Sequence, residues 1–247
     1  MSNGRILFEG PSELDGAPIV VIAIGFDSGS KNTKTGAMIQ TYILRSDLHP
    51  VEAVHTGADV SICGACPHRG ANGDGSGRTC YVNIGQGPTI VFKTYQAGGY
   101  PRATLAQLGA LGRGRMVRLG TYGDPAAVPA LYWALLTAHS AGHTGYTHQW
   151  RASDELRGLC MASADSAEEA TQAQAAGWRT FRVAMPGDAA RMKGEVVCPA
   201  SQESGARTTC ADCGLCAGAG AGFTKSVTIA AHGGFAVMAA VKARVAA

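Results

Sequence analysis

The sequence lacks an uninterrupted run of about 18 apolar residues, the length that a helix needs to cross a membrane. Its first ten residues, MSNGRILFEG, also lack the basic start and apolar core of a secretory signal. Charge is scarce too: 16% of residues are charged and the net charge is +3, too small to indicate a nucleic-acid binder by itself. We therefore expect a cytoplasmic protein without a membrane partner.

Apolar residues and glycine are plentiful. Hydrophobic residues make up 46% of the chain and there are 34 glycines, a composition typical of a well-buried globular protein. The length of 247 residues is close to the roughly 250 that are typical of a (β/α)₈ barrel. One domain spanning residues 1–247 is therefore the expectation.

Short β-rich runs alternate with helix-like segments. Helices are predicted over Pro125 to Ser140, with Asp124 as N-cap, and over Ser166 to Ala176, with Ser166 as N-cap. Such alternation predicts parallel strands joined by right-handed crossovers. We expect a TIM-like (β/α) barrel with cysteine-rich metal-binding insertions, and an open doubly wound sheet is the alternative. The predicted strands are Pro18 to Phe26, Met38 to Leu44, Thr89 to Tyr95, Val117 to Gly123, His143 to Trp150, Leu159 to Asp165, Trp178 to Met185, Glu195 to Ser201 and Ser226 to His232.

The strongest motif lies in the cysteine-rich segment 198–216. Cys210, Cys213 and Cys216 form a C-x₂-C-x₂-C run, so three thiolates within seven residues can surround one ion or one face of a cluster. Cys198, followed by proline, is a natural fourth ligand of a [4Fe–4S] cluster. A tetrahedral Zn²⁺ site is equally compatible, with His232 competing for the fourth position. The sequence predicts a metal centre here and leaves its metal open.

A second cysteine-rich segment spans residues 63–80. Cys63, Cys66 and Cys80 lie within eighteen residues, and Cys160 or His68 is a candidate fourth ligand. In a reducing compartment clustered cysteines indicate metal binding or catalysis rather than disulfides. Because only three cysteines are close in sequence, this centre is expected to keep the open coordination site that a catalytic metal needs.

Candidate catalytic groups follow the predicted strands, where the carboxyl ends of barrel strands place active sites. They are Asp124, His148 and Asp165, although Asp124 is also a plain helix cap and a lone histidine is often structural. Arg118 and Arg182 are candidate substrate-binding residues. Because a buried arginine is costly, Arg182 needs either a carboxylate partner or an anionic ligand.

The segments SICGACPHRG, VRLGTYGDP, GYTHQW and CPAS with CADCGLC resemble an uncharacterised group of cysteine-rich phage proteins. A more distant resemblance is to the guanine transglycosylase superfamily, which includes phage enzymes that place 7-deazaguanines in DNA. That resemblance implies a (β/α)₈ barrel, catalytic aspartates and a zinc site on Cys210, Cys213, Cys216 and His232. It also places Asp27, in FDSG, near the family's DSGG segment as a substrate-binding residue.

Three functions follow from these observations. The first is a metal-dependent enzyme that exchanges bases in nucleic acid, DNA being the favoured substrate. Asp124 or Asp165 would act as nucleophile or base. A small-molecule base or cofactor would be a further ligand. The second is an iron–sulfur redox or radical enzyme that uses Cys63, Cys66 and Cys80. The third is a non-enzymatic, zinc-dependent protein that binds DNA or another protein. If the chain is phage-encoded, its expected place is the host cytoplasm.

Overall fold

The computed structural model of the chain shows a mixed α/β fold. It describes residues 3–28, 32–70, 75–185, 188, 191–205, 208–233 and 235–246. None of the helices in these ranges is both long enough and apolar enough to pass through a lipid bilayer.

The described residues form two five-stranded sheets. The first has the order β1-β2-β3-β4-β5, and its first two pairings, β1 with β2 and β2 with β3, are antiparallel. The second has the order β6-β7-β8-β10-β9 and is parallel throughout. The strands are β1 (Gly4–Pro11), β2 (Pro18–Ile24), β3 (Ile39–Arg45), β4 (Met116–Tyr122), β5 (Gly142–Thr144), β6 (Tyr146–Thr147), β7 (Met161–Ala164), β8 (Thr180–Ala184), β9 (Glu195–Val197) and β10 (Ser226–Ala230).

A single glycine separates the two sheets. β5 ends at Thr144 and β6 begins at Tyr146, so only Gly145 lies between them. The Gly145 N–H donates to the carbonyl of Cys216, and its own carbonyl accepts from Met161. A Cβ at this position would lie 2.8 Å from the Cys160 sulfur, so a larger residue would not fit. The two sheets therefore share one central segment, and closure into a (β/α) barrel stays a prediction.

Eight helices accompany the sheets in the part of the chain described. The N-cap predicted at Ser166 is confirmed, because its hydroxyl accepts from the Glu169 N–H. The eight helices are α1 (Pro50–His55), α2 (Val60–Cys63), α3 (Gly87–Gln96), α4 (Leu105–Gly112), α5 (Ala130–Thr137), α6 (Ala167–Ala175), α7 (Cys210–Cys213) and α8 (Phe235–Ala246).

The helix predicted over Pro125 to Ser140 is shorter than expected. Asp124 caps a 3₁₀ turn at Pro125–Ala127, and the helix itself, α5, begins only at Ala130. The cause is Pro129, because a residue that precedes proline is excluded from the helical region, and Val128 is accordingly extended (φ −128°, ψ 138°).

One predicted strand is wrong. Thr89 to Tyr95 lies in the helix α3, which starts with proline in its first turn. The β-branched run of this segment suggested a strand. Its burial instead follows a helical face, since Val91 and Phe92 are buried whereas Ile90 is 64% exposed.

The strands divide the core from a cavity. Val117 and Leu119 in β4 are fully buried in the main hydrophobic core, while Arg118, which alternates with them, lines the cavity. The same alternation holds in β8, where Phe181 lines the cavity. A smaller apolar cluster, which includes Met161, Val227 and Ile229, packs against the cysteine-rich carboxy-terminal segment on the cavity side.

Candidate metal centres and their shared cavity

Seven of the eight cysteines line one cavity of about 560 Å³. The eighth, Cys160, is fully buried in the main core and does not line it. The two cysteine-rich segments, which the sequence treats as separate motifs, therefore meet at one place. The lining cysteines are Cys63, Cys66 and Cys80, called here the amino-terminal centre, and Cys198, Cys210, Cys213 and Cys216, called the carboxy-terminal centre.

The cavity extends to the carboxyl ends of the parallel strands. Asp124 follows β4, His148 follows β6 and Cys198 follows β9, and all three line the cavity. In sheets of parallel strands this edge is where ligands commonly bind, because the connecting loops converge there. Asp124 and His148, which the sequence places at strand ends, do lie there, and their catalytic role stays a prediction.

A tight turn shapes the amino-terminal centre. Gly64 has φ +56° and ψ −136°, and a Cβ there would lie 2.5 Å from the Gln149 side chain. The Gln149 amide donates to the carbonyl of Cys63 and accepts from the N–H of Ala65. The Cys66 N–H donates to the Cys63 carbonyl, which closes the turn. Both cysteines are thus positioned by a residue that follows β6.

Cys80 joins this turn through His68. The His68 carbonyl accepts hydrogen bonds from the N–H groups of Thr79 and Cys80 at 3.1 and 3.0 Å. Burial raises the pKa of Cys80, and burial together with nearby Cys66 raises that of Cys63 well above the ordinary value. Buried thiols of this kind stay protonated and inert unless a metal ion displaces the proton.

The carboxy-terminal centre rests on the loop before β3. The one-turn helix α7 is capped by the Thr209 hydroxyl, which accepts from the Asp212 N–H. The Cys210 and Ala211 N–H groups donate to the carbonyls of Lys34 and Thr35, respectively. This centre is therefore docked against a distant part of the chain.

Cys198 precedes the C-x₂-C-x₂-C run by twelve residues and lines the cavity together with it. Burial raises its pKa, and Cys210 and Cys213 raise it further. Burial also raises the pKa of Cys216 to about 12, with the other three thiols contributing. All four thiols of the carboxy-terminal centre line the same cavity.

Both ring nitrogens of His232 already have other partners. Nε2 lies 3.3 Å from Lys34 Nζ, and Nδ1 lies 2.9 Å from the Ala230 carbonyl oxygen. Its ring stacks on Tyr81 with 5.6 Å between centroids. This geometry favours Cys198 over His232 as the fourth ligand of the carboxy-terminal centre.

Arg118 supplies positive charge beside the carboxy-terminal centre. Its guanidinium lies 5.3 Å from the centre of the Tyr146 ring, and Tyr146 and Cys216 line the same cavity. Burial lowers the pKa of Arg118, but the surrounding tyrosine hydroxyls and the thiols of Cys210 and Cys216 raise it more, so the group stays charged. A cation here would offset the negative charge of thiolate ligands.

His68, His148 and Asp165 meet beside the amino-terminal centre. His68 Nε2 lies 2.7 Å from Asp165 Oδ1, and His148 Nε2 lies 3.4 Å from Asp165 Oδ2. Burial raises the pKa of Asp165, but the two imidazoles lower it more, so the net direction is downward. Adjacent parallel strands predict the proximity of His148 and Asp165, since these residues follow β6 and β7. The sequence offers His68 only as a fourth ligand of the amino-terminal centre, and no local pattern indicates its contact with Asp165, 97 residues away.

Asp124 has a structural position. Its Oδ1 accepts from the Ala126 N–H at 3.0 Å and its Oδ2 accepts from the His148 N–H at 2.8 Å. Burial raises the pKa of this carboxyl group. Asp124 therefore acts as a cap and also fixes the start of the segment that carries His148.

Two predicted substrate-binding residues lie away from the cavity. Arg182 is fully buried and forms a two-point ion pair with Glu195 at 2.9 and 2.8 Å, which is the carboxylate partner that its burial requires. Asp27 is exposed, and its backbone N–H donates to the side chain of Asn3. Neither residue lines the cavity.

No family model, no curated protein and no solved structure matches this chain significantly. The functional argument therefore depends on the geometry of the cavity.

Proposed function

We propose that the protein is an iron–sulfur redox enzyme in which Cys198, Cys210, Cys213 and Cys216 hold a [4Fe–4S] cluster. The observation that carries this proposal is the convergence of both cysteine groups on one cavity at the strand ends. Four cysteines with C-x₂-C-x₂-C spacing and a remote Cys-Pro match the ligand set of such a cluster.

The spacing of the sulfurs supports a cluster over a single zinc ion. Two thiolates on one zinc, each about 2.3 Å from it, lie no more than about 4.6 Å apart. Among the described residues, no three cysteine sulfurs lie within 4.8 Å of one another. A single zinc ion would therefore require the thiols to move together, whereas a cluster, which holds each thiolate on a different iron, accepts a wider arrangement.

The amino-terminal centre provides the second half of the proposal. Its three cysteines can hold a cluster that keeps one iron free for substrate, as an open catalytic site requires. A bound cluster supplies one-electron transfer, with an external one-electron donor as the source. Because both centres border the same cavity, electrons would have a short path between them.

The chain's own residues would tune the carboxy-terminal cluster. Tyr146 lines the cavity with Cys216 and would be a hydrogen-bond donor to its sulfur in the cluster-bound state, and Arg118 places a permanent positive charge nearby. Hydrogen bonds to ligand sulfur and adjacent cations both favour the reduced, more negative form of a cluster. Val183, Phe181 and Ile229 add an apolar wall that limits water.

Base exchange on nucleic acid stays a prediction with less support. It needs an aspartate that is free to attack a sugar carbon. Both oxygens of Asp124 accept backbone hydrogen bonds, and Asp165 is paired with His68. These aspartates are therefore engaged in holding the site together.

The test is iron, sulfide and zinc analysis, with a visible spectrum, on protein purified without oxygen. We expect about four irons and four sulfides for each cluster, with absorbance that a one-electron reductant bleaches. Cys210→Ala and Cys63→Ala should each remove iron, whereas Cys160→Ala, which alters a core cysteine outside the cavity, should retain it. Stoichiometric zinc without sulfide would overturn the proposal.

A further inference from the structure

Beside the cysteine centres lies a set of nitrogen and oxygen ligands with a different chemistry. The ligand atoms of His68, His148 and Asp165 all lie within 4.8 Å of one another, and in the described part of the chain no other such group of three is present. Two imidazoles and one carboxylate on one side of an ion leave its remaining positions open. We propose that these three residues form a separate site for a single divalent transition-metal ion, of the Mn²⁺ or Fe²⁺ class.

The distances fit shared coordination. Ligand atoms about 2.1 Å from one ion must lie within about 4.2 Å of each other. The two nitrogen-to-oxygen distances, 2.7 Å from His68 and 3.4 Å from His148 to the carboxylate of Asp165, satisfy this limit. The carboxylate is nearly buried, with its side chain 9% exposed. A small movement apart would admit the ion between the three groups.

A buried ring nitrogen that makes no hydrogen bond also supports a metal site. His148 Nε2 is inaccessible to solvent and makes no hydrogen bond, although it faces Asp165. Buried polar atoms are normally satisfied, so such an atom calls for an explanation. Coordination by the Nε2 lone pair would satisfy it.

The surrounding hydrogen bonds are those that orient metal ligands. His68 Nδ1 lies 2.7 Å from Thr79 Oγ1, which leaves Nε2 facing Asp165. The Asp165 N–H donates to Glu169, and the His148 N–H donates to Asp124. Each of the three residues is therefore held in place by an outer partner, as is usual at metal sites.

The position gives the ion access to substrate. His68, His148 and Thr79 line the cavity, as does Cys66 of the amino-terminal centre. Two neutral histidines and one carboxylate leave a divalent ion with a net positive charge. Such an ion would bind an anionic or carbonyl oxygen of a molecule in the cavity.

Mn²⁺ is the suitable probe, because it prefers nitrogen and oxygen ligands and binds thiolates weakly. The experiment titrates Mn²⁺ into the full chain, purified without oxygen with its cysteine centres as isolated, and follows the loss of the free-ion EPR signal. We expect one Mn²⁺ per chain. Asp165→Asn and His148→Gln should weaken binding at least tenfold, and Thr79→Val, which removes an outer partner, about 10- to 100-fold.

His55→Gln, at an exposed histidine away from the cavity, is the matched control and should bind like the unaltered chain. Iron, sulfide and zinc are measured in every variant. Loss of Mn²⁺ with unchanged cysteine-bound metal confirms a separate site. Absence of Mn²⁺ binding in the unaltered chain, or equal binding by Asp165→Asn, overturns this inference and leaves the cluster proposal intact. Mn²⁺ binding by a chain without sulfide would support this site and overturn only the cluster.

Discussion

The carboxylate of Asp124 accepts a hydrogen bond from the backbone N–H of His148 at 2.8 Å. This bond links the segment after β4 to the segment after β6, and the second carboxylate oxygen caps the turn that begins at Pro125. One side chain thus fixes two of the loops that form the cavity. Of the two roles that the sequence allows Asp124, the cap is confirmed, and the catalytic role stays a prediction.

Asp124→Ala is expected to destabilise the fold by about 2–4 kcal/mol, because it removes a cap and leaves a buried N–H of His148 unpaired. Urea unfolding measures the change. Asp154→Ala, at a side chain that is 71% exposed in a surface ion pair, should cost less than about 0.5 kcal/mol. Equal effects of the two substitutions would contradict the structural role given to Asp124.

Gly64→Ala is expected to remove metal from the amino-terminal centre while the carboxy-terminal centre keeps its own. The added Cβ would meet Gln149 at 2.5 Å, and the backbone has a positive φ that side chains disfavour. Gly77→Ala is the control, since Gly77 also has a positive φ (+65°) but has no atom within 4 Å of the added carbon. The metal content of both variants tests this prediction. A full metal complement in Gly64→Ala would contradict it.

Arg182→Met is expected to destabilise the protein by about 3–5 kcal/mol, because it leaves the Glu195 carboxylate buried without its cation. The double variant Arg182→Met with Glu195→Leu should recover most of that loss, since it removes both buried charges. Denaturant unfolding of both variants gives the comparison. A double variant as unstable as the single one would show that the pair contributes more than charge neutralisation.

Cys198→Ala is expected to lower the metal content of the carboxy-terminal centre, whereas His232→Ala should leave it unchanged. The reason is geometric, because Cys198 neighbours Cys210 and Cys213 while His232 is engaged with Lys34 and Ala230. Metal analysis in a Cys63→Ala background isolates this centre. The reverse outcome would assign the fourth ligand to His232, as the transglycosylase resemblance implies.

Stability should fall in alkaline solution through Tyr95. Burial and the hydrogen bond to Glu9 raise its pKa from 10 to about 12. The stabilisation is complete below pH 10, where Tyr95 is protonated in both states, and is lost as the pH rises toward 12 because the unfolded state releases the proton first. Tyr95→Phe should cost about 1 kcal/mol at pH 8 and progressively less above pH 10. A pH-independent difference in unfolding free energy would contradict this.

Most strand positions could be predicted from the sequence, because period-two burial and caps such as Ser166 are local signals. The expectation of parallel strands is wrong for β2 and β3, which pair antiparallel. β1 was missed since a bulge between Ile6 and Phe8 interrupts its alternation. The antiparallel pairing of β2 with β3 also depends on contacts that a pattern of single strands does not contain.

The sequence indicated the separate cysteine motifs and strand-end residues of the candidate site, but not which of them lie together in the folded chain. Cysteine spacing indicated both centres, but not that they border one cavity. His68 and Asp165 are 97 residues apart, so their contact depends on tertiary packing alone. Strand-end position suggested the places of His148 and Asp165, which follow β6 and β7, but not that of His68.

Each cysteine segment is held by residues from elsewhere in the chain. The turn at Cys63 is held by the Gln149 side chain, and the Cys210 N–H at the start of α7 donates to the carbonyl of Lys34. During synthesis, the turn at Cys63 cannot reach its final form until Gln149 has emerged and packed, whereas Lys34 emerges long before Cys210. Metal capture would then act as a checkpoint for completed folding, and a chain that stalls or is cut in the middle would expose reactive thiols instead of storing a cofactor.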